Sequence, residues 1–402
     1  NILSSGALSL AGGDTAFGTL SGGKITATGV GFTSGKILLD DAIDVGGGTV
    51  TNNGATLALT TPQTVTGNYS QTGGTLVSTI ASATSYGSLV VSGKASVTGA
   101  AVVLSGSTVK AGDSYKIVDA GDVSSYTNDT VTVVGAHYRA ALSTIGDDLV
   151  ATIRPMFGDV GTKRGGDAAV MGGVFDSLTD VSSMASSIDT MSALSDGDLG
   201  SSLAQAAPAQ VAGGAAVLQR AAMMVGQVDD AIAQRQSSEA ASWSLWGQLL
   251  GGKANRDAKS NTESYNVTTA GMAVGADTRI GNEWLVGGAF SWMNGWNGGK
   301  GLFAGDANGV ASYQLNAYAA WTKGDLHFYA DAAAGRDRYD QHRAMSNLDK
   351  TAKASYDGYH YALSVGGDYA IPVGSLTVSP TVKLDWLGLK RDSYTESGAG
   401  AD

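Results

Sequence analysis

Four segments in the second half of the chain alternate apolar and polar residues position by position: Ser312–Trp321, Leu326–Gly335, Tyr359–Tyr369 and Leu376–Trp386. This period of two is that of a β-strand with one apolar and one polar face. Each segment has the ~9–11 residues that a tilted strand needs to cross a bilayer. Aromatic residues stand near the ends of the apolar faces, at Tyr313, Trp321, Tyr359, Tyr369 and Trp386. The pattern favours transmembrane strands over a water-soluble antiparallel sheet.

Three earlier segments with the same alternation, starting near Trp243, Thr268 and Trp284, bring the number of predicted strands to seven. Short connections are predicted at Ile280–Glu283, Lys323–Asp325 and Pro372–Ser375. Long polar connections are predicted at Asn255–Asn266, Asn294–Asn308 and Arg338–Ser355. Short turns on one side and long loops on the other are typical of an outer-membrane barrel, whose short turns face the periplasm.

The alternation also assigns polar side chains to one face of this barrel. A charge that faces lipid near the midplane costs roughly 2–4 kcal/mol, so the charged face must point into the lumen. We therefore predict the following pore-lining residues: Asp277, Gln314, Asn316, His327, Asp331, His360, Asp368, Lys383 and Asp385.

The first 153 residues are rich in Gly, Ser, Thr, Val and Ala and have almost no helical period. Short apolar runs separated by Gly-containing turns occur at Lys24–Ala27, Lys36–Leu39, Thr56–Leu59, Thr75–Thr79, Ser88–Ser92 and Ala101–Leu104. Such runs are typical of a stacked β-solenoid, in which each coil is buried against the next, with a β-sandwich as the alternative. The predicted core of the last coils is Tyr69, Leu76, Val77, Leu89, Val91 and Ile117.

Between Asp159 and Ala241 the pattern becomes helical. Val170, Val174 and Leu178 predict one helix. A second, Ala209–Gln236, would be roughly 40 Å long and presents a narrow apolar stripe of Leu218, Val225, Val228 and Ile232. This pore helix, as we call it, could pack on the preceding helices or thread a polar lumen. The resulting domain prediction is 1–154 for the solenoid, 155–241 for a helical linker and 242–402 for the barrel.

Composition narrows the class of protein. The 402 residues include 58 Gly, 5 Pro and no Cys, only 15% are charged, and the net charge is −11. No apolar run approaches the ~18 residues of a spanning helix, a result compatible with a barrel. The basic residues form no patch, so we expect no nucleic-acid partner. Absence of cysteine suits export through an oxidising periplasm. The chain begins at Asn1, from which we expect a processed terminus or a longer precursor.

Candidate catalytic chemistry is weak. Gly112-Asp113-Ser114-Tyr115 is similar to a lipase nucleophile block, but Tyr replaces Leu and no helix follows the serine. The four histidines lack metal-ligand spacing, so neither a metal nor a cofactor is expected. His327, Asp331, His360 and Asp368 are better explained as a hydrated polar lining than as a catalytic group. We therefore expect no enzymatic activity in this chain.

The order of these parts resembles one family, the classical autotransporters of type Va secretion. Ser244-Leu245-Trp246-Gly247-Gln248, Gly271 to Asp277, Leu315 to Trp321 and Asp392 to Gly398 are similar to its translocator domain. Gly67 to Leu76, Leu89 to Gly93 and Tyr115 to Val118 resemble its membrane-proximal passenger end, the autochaperone. The resemblance implies a right-handed parallel β-helix, a helix in the pore and a twelve-stranded barrel. Seven strands out of twelve would make this chain a fragment truncated at both ends.

The same resemblance implies a location and partners. The barrel would lie in the outer membrane of a Gram-negative bacterium, with the passenger at the cell surface. Its partners would be the lipid bilayer, the barrel-assembly machinery and periplasmic chaperones. The expected function is export and display of an adhesin-like passenger. The alternative is an outer-membrane enzyme with hydrolytic activity in the passenger or barrel.

Some members of this family release the passenger through an asparagine of the linker helix that attacks its own carbonyl. No asparagine occurs between Asn128 and Asn255. We therefore expect the exported passenger to remain covalently attached to the barrel.

Overall fold

The computed structural model describes residues 1–135, 137–207, 226, 232, 243–257 and 264–399. The chain forms two compact units, Asn1–Ala204 and Gln205–Gly400. The first is mostly a solenoid of short strands followed by helices, and the second is an antiparallel sheet of long strands.

The first unit is built from strands that stack in parallel ladders. Its strands are β1 (Ile2–Leu3), β2 (Ala7–Ala11), β3 (Gly18–Thr26), β4 (Gly29–Ser34), β5 (Lys36–Asn52), β6 (Thr56–Leu59), β7 (Pro62–Gln71), β8 (Thr75–Ser82), β9 (Ser85–Tyr86), β10 (Ser88–Thr98), β11 (Ala101–Ser105), β12 (Ser114–Thr127) and β13 (Thr130–Val134). One ladder runs β3–β5–β7–β10–β12, and another runs β6–β8–β11–β13. Parallel pairing of strands from successive coils confirms the solenoid and excludes the sandwich.

Alternate side chains of these strands fill the interior of the solenoid. Tyr69, Leu76, Leu89, Val91 and Ile117 are all buried in one continuous core, each at most 2% exposed. The prediction for Val77 is wrong: it follows the inward-pointing Leu76 and therefore lies on the opposite, half-buried face. Glycine is required at corners such as Gly74, where φ is +70° and a Cβ would overlap the carbonyl oxygen of Ala55.

An antiparallel hairpin ends the parallel stack. It consists of β14 (Tyr138–Ile145) and β15 (Asp148–Pro155). β15 pairs antiparallel with β12, the last strand of its ladder. An antiparallel strand in this position completes the hydrogen bonds of the β12 backbone, which would otherwise present an open edge.

Four helices follow, α1 (Gly158–Arg164), α2 (Asp167–Ser177), α3 (Ala185–Ser192) and α4 (Asp196–Ala206), with a 3₁₀ turn at Ser182–Met184. The helix predicted from Val170 and Val174 exists as α2, but its buried face is different. Ala168, Gly172 and Phe175 are buried, whereas Val170 and Val174 are exposed. Gly172 lies so close to the Phe157 backbone that a larger residue would not fit there. Close helix packing, which hydrophobicity alone does not reveal, selected this face.

Polar contacts attach α2 and α3 to the end of the solenoid. The Asp189 carboxylate in α3 accepts hydrogen bonds from the Ala111 backbone N–H (2.8 Å) and the Tyr138 hydroxyl (2.7 Å). The Asp176 carboxylate in α2 accepts from the backbone N–H groups of Phe157 and Gly158. Burial and the Asp189 carboxylate raise the pKa of the Tyr138 hydroxyl. These helices therefore belong to the same compact unit as the solenoid.

The second unit is an antiparallel sheet in which seven long strands follow chain order. They are β16 (Trp243–Arg256), β17 (Tyr265–Ile280), β18 (Trp284–Gly299), β19 (Ala307–Lys323), β20 (Leu326–Met345), β21 (Lys350–Tyr369) and β24 (Thr381–Arg391). Between the last two lies a small hairpin of β22 (Ile371–Val373) and β23 (Leu376–Val378). Six of the seven predicted strands are present, but the last, Leu376–Trp386, is divided: Leu376–Val378 belongs to the small hairpin, and the long strand begins only at Thr381.

The connections differ in length from the prediction on one side of the sheet. The turns after β17 and β19 are short, as expected. The predicted long loop Arg338–Ser355 is instead almost entirely strand, because β20 and β21 pair from Leu326↔Tyr369 up to Met345↔Lys350. Only a 3₁₀ turn at Ser346–Leu348 and Asp349 connects them. We call the end that carries the β18–β19 and β20–β21 connections the loop end, and the opposite end the turn end.

The two faces of the sheet differ sharply in chemistry. The apolar face, as we call it, carries exposed large side chains, among them Leu245, Met272, Phe290, Leu315 and Leu363. The polar face is the one that bears Asp277, Gln314, Asn316, Asp331 and His360, all of which are buried. Strand alternation separates the two sets, since paired residues of neighbouring strands share a face.

Two rows of aromatic side chains border the apolar face. Trp284, Trp321 and Phe328 are in register near the turn end. Trp292, Tyr313 and Tyr359 form a second row across the sheet. Eight residues separate Tyr313 from Trp321, which is roughly 27 Å along a strand and close to the height of a barrel's apolar band. The sequence placed Trp386 at such a border, which is wrong: it pairs with Leu363 in the middle of the band.

Candidate functional site

A continuous chain of hydrogen bonds crosses the polar face from β19 to β21. Asp337 accepts from the Ser312 hydroxyl (2.6 Å) and bonds to His360 Nδ1 (2.9 Å). The other ring nitrogen, Nε2, lies 2.9 Å from Gln314 Oε1. Gln314 in turn donates to Asn316 Oδ1 (2.9 Å), and Asn316 donates to the Asp331 carboxylate. These side chains are almost fully buried and bond directly to one another.

A second polar group lies nearer the turn end. The Trp246 indole N–H donates to the Tyr318 hydroxyl (2.8 Å), which donates to Asp277 Oδ2 (3.1 Å). The Trp246 ring covers Gly275, its partner in the ladder, and the Tyr318 ring covers Gly287 in the same way. A Cβ at either glycine would overlap the ring, so glycine permits the aromatic side chain to lie flat on the sheet.

The other predicted pore-lining residues share this face but not these groups. His327 and Asp368 pair in the ladder and are half-buried, and His327 Nδ1 lies 3.1 Å from the Thr322 hydroxyl. Lys383 and Asp385 lie on β24, where they are more exposed and form an ion pair of 3.2 Å. That all nine residues line a pore remains a prediction.

Sequence reasoning missed several polar residues of this face. Ser312 and Tyr318 were predicted there only as part of a strand pattern. Gln341 and Arg343 were assigned to the loop Arg338–Ser355, and Asp337 to neither the strand nor the loop. The alternation of β20 continues without interruption through Arg343, and every second residue from Asp331 to Met345, apart from Gly335, is buried. Extending the period of two past Gly335 would have found them.

One residue of the predicted pore helix contacts the polar face. Ile232 is helical and 1% exposed, and it packs with Leu285, Ala289, Tyr318 and Ala320. These four side chains all belong to the polar face near the turn end. Leu218, Val225 and Val228, the other residues predicted for the apolar stripe, lie outside the described residues.

The first residue of the second unit is held at the loop end. Gln205 is 3% exposed, and its side-chain amide donates to the Leu302 carbonyl oxygen (2.7 Å) and accepts from the Ser346 backbone N–H (3.2 Å). The Gln205 carbonyl oxygen accepts from Arg343 Nη1 (2.6 Å). Close by, Asp306 accepts from the Ala344 backbone N–H, and burial raises the pKa of the Asp306 carboxyl.

Trp243, where β16 begins, lies at the other end of the sheet. It pairs with Thr278, two residues before β17 ends at the turn end. In chain order, Gln205 thus lies at the loop end, Ile232 on the polar face near the turn end, and Trp243 at the turn end.

The apolar face suits a different environment. Side chains such as Leu245 (71% exposed) and Leu384 (69% exposed) form an exposed apolar band. Bands of this kind mark surfaces that contact a membrane or another protein. None of the helices in the described part of the chain is long and apolar enough to span a membrane.

The remaining candidates for chemistry lie elsewhere. Ser114 begins β12, and its hydroxyl lies 3.0 Å from the Thr152 hydroxyl, while Asp113 accepts from the Tyr115 hydroxyl. Within the described ranges, no group of three or more His, Asp or Glu side chains is arranged to hold a metal ion.

Comparison with known proteins identifies the second unit. Residues 245–402 match the family model described as the autotransporter beta-domain. No curated protein matches the chain. Among solved structures, the chain is similar to the translocator domain of the autotransporter NalP from Neisseria meningitidis, with 18% identity and a TM-score of 0.37. The match covers 44% of this chain and 62% of that structure, so the chain spans less than two thirds of its length.

The family match agrees with the seven antiparallel strands, the apolar band and the polar face described above. Its members are type V secretion translocators of the Gram-negative outer membrane. Residues 245–402 therefore form a β-barrel translocator end of the autotransporter type, and a β-solenoid precedes it in the chain.

Proposed function

We propose that this autotransporter exports its own N-terminal solenoid and displays it at the cell surface. The observation that carries the proposal is the position of three residues in chain order: Gln205 lies at the loop end, Ile232 on the polar face and Trp243 at the turn end. In an outer-membrane barrel the longer connections face outwards. A segment that crosses the lumen in this direction leaves everything before Gln205 outside the cell.

The partners follow from the surfaces. The lipid bilayer contacts the apolar face, and the buried polar face spares its charges the cost of facing lipid. Insertion of such a sheet requires an assembly machinery, and export of an unfolded solenoid requires periplasmic chaperones. Both partners are proposed here on the family resemblance.

We propose an adhesin-like role for the displayed solenoid. Successive coils align small polar side chains on an outer face, where Thr51, Ser70, Ser96 and Ser125 occupy one column of the ladder. Such a column offers hydroxyl groups at the ~4.8 Å spacing of neighbouring strands, a regular surface for contact with another macromolecule or a glycan. Its ligand would be found by binding of the isolated solenoid unit to surfaces of host or bacterial origin.

The test of display uses an epitope tag inserted at Asn53-Gly54, an exposed corner between β5 and β6. In intact cells we expect antibody to label the tag and added protease to remove it. In a variant without Ala209–Gln236 we expect the barrel to assemble and the tag to remain inaccessible, because no segment is left to thread the lumen. A tag that is inaccessible in the complete chain, or equally accessible in both proteins, would overturn the proposal.

We also predict that the displayed solenoid stays attached to the barrel. Self-cleavage by an asparagine requires that side chain in the linker, and none lies between Asn128 and Asn255. In a host that lacks outer-membrane proteases, an antibody to the barrel should detect one full-length band in outer membranes. A shorter fragment that begins within Ala209–Gln236 would contradict this prediction.

A further inference from the structure

A buried arginine joins the linker to the loop end of the barrel. Arg343 stands near the end of β20 and points to the polar face, with only 8% of its side chain exposed. Its Nη2 and Nε donate to the two carboxylate oxygens of Glu396, and its Nη1 donates to the Gln205 carbonyl oxygen at 2.6 Å. One guanidinium thus contacts both Glu396, a residue beyond β24, and Gln205.

The contacts of Gln205 extend this junction across several strands. Its side-chain amide bonds to Leu302, in the β18–β19 connection, and to Ser346, in the β20–β21 connection. Gln341, two residues before Arg343 on the same face, also donates to Glu396 (3.5 Å). Gln205 therefore ties together two connections and, through Arg343, the segment after β24.

The linker supplies one of the hydrogen-bond acceptors that the buried Arg343 guanidinium requires. A guanidinium this deeply buried needs acceptors for its donors, and Glu396 and Gln205 supply them. Before residue 205 has emerged from the lumen, its carbonyl oxygen is absent from the loop end, and Arg343 Nη1 cannot donate to it. Once export is complete, the Gln205 carbonyl oxygen reaches the loop end and accepts this hydrogen bond.

We propose that Arg343 and Gln205 form a latch that closes the loop end of the barrel once the passenger has been exported. The latch positions the linker so that the connections after β18 and β20 fold over it, which excludes water and ions from the lumen. This inference rests on the proposed threading of the linker and adds to it a residue pair that seals the pore.

The test compares Arg343→Ala with Arg338→Ala in the full-length protein. Arg338 is a matched control because it lies on the same strand with its side chain exposed on the other face. We expect Arg343→Ala to display the epitope tag normally but to raise the frequency of open-channel events in planar bilayers roughly tenfold, the factor expected when one charge-assisted hydrogen bond is lost. Cells that produce it should become sensitive to a large antibiotic such as vancomycin. Arg338→Ala should behave as the unaltered protein.

Arg343→Lys and Gln205→Ala refine the result. Lysine keeps the charge but lacks the fork that spans Glu396 and Gln205, so we expect intermediate conductance. Gln205→Ala removes the side-chain ties to Leu302 and Ser346 but keeps the backbone carbonyl that Arg343 contacts, so it tests only how the two connections are held. If Arg343→Ala fails to assemble, Arg343→Lys takes its place. Conductance of the assembled Arg343 variant equal to that of the Arg338→Ala control, with the tag displayed, would overturn the latch. Failure of the unaltered protein to display the tag would instead overturn the proposed function.

Discussion

Replacing Leu89 with aspartate should destroy the protease resistance of the solenoid while leaving the barrel assembled. Leu89 is fully buried in β10, between Gln63 of β7 and Val118 of β12 in the ladder. Truncating such a leucine costs about 2–5 kcal/mol, and an unpaired buried charge adds several more. That total rivals the whole stability of an ordinary domain.

The measurement is limited proteolysis of intact cells followed by blotting with antibodies to each unit. We expect the solenoid of Leu89→Asp to be digested at protease concentrations that leave the unaltered solenoid intact. The heat-dependent mobility of the barrel on gels should not change, because the two units are separately compact. Ser96→Asp is the control, since Ser96 lies on the same strand with its side chain exposed. Equal digestion of the two variants would show that the core assignment does not govern folding.

The expected effect should spread beyond one coil. Each coil of a solenoid is stabilised by its neighbours, so a disrupted coil removes the template for the next. β10 lies between β7 and β12, and β12 is in turn closed by β15. Leu89 is therefore close to the C-terminal end of the stack, where a well-packed coil can template the folding of coils that emerge after it.

Strand periodicity predicted which residues lie on each face of the strands, because the surroundings of a face determine whether its residues are apolar or polar. Alternation along β17 to β21 found both faces of the sheet, because lipid and lumen impose opposite preferences on neighbouring positions. Alternation in the solenoid found the inward residues Leu76 and Leu89, but counting an apolar Val77 as core ignored the period. The outer face of a solenoid strand can also carry a valine, so an apolar residue such as Val77 is not necessarily part of the core.

Sequence could not reveal features that depend on contacts between distant residues. The buried face of α2 follows from the fit of Gly172 against Phe157, which no local pattern shows. The polar face was expected to be lined by separately hydrated side chains, yet its central residues bond to one another across three strands. The register between neighbouring strands determines which polar side chains form hydrogen bonds, and this register cannot be read from the sequence of one strand.

The second large effect is expected at the centre of that network, where Asp337→Ala should sharply reduce the thermal stability of the barrel. Both nitrogens of His360 lie against oxygen acceptors, the Asp337 carboxylate and Gln314 Oε1. Gln314 uses its amide nitrogen to donate to Asn316, which leaves its oxygen for His360. Asp337 and His360 thus form a hydrogen-bonded pair in a place where neither side chain is exposed.

Removal of one partner of such a pair leaves the other buried polar group without its hydrogen bond, which costs about 1–3 kcal/mol and more for a charged group, whereas replacement of both partners by apolar groups can be nearly neutral. Asp337→Ala should therefore lower the temperature at which the folded barrel loses its compact mobility on gels by far more than Asp340→Ala, an exposed aspartate of the same strand. His360→Leu alone should also destabilise, since it leaves Asp337 unpaired. In the His360→Leu background, the cost of Asp337→Leu should nearly vanish or change sign. If the separate costs of His360→Leu and Asp337→Leu simply add in the double variant, His360 and Asp337 are not coupled, and the barrel owes its stability to other contacts.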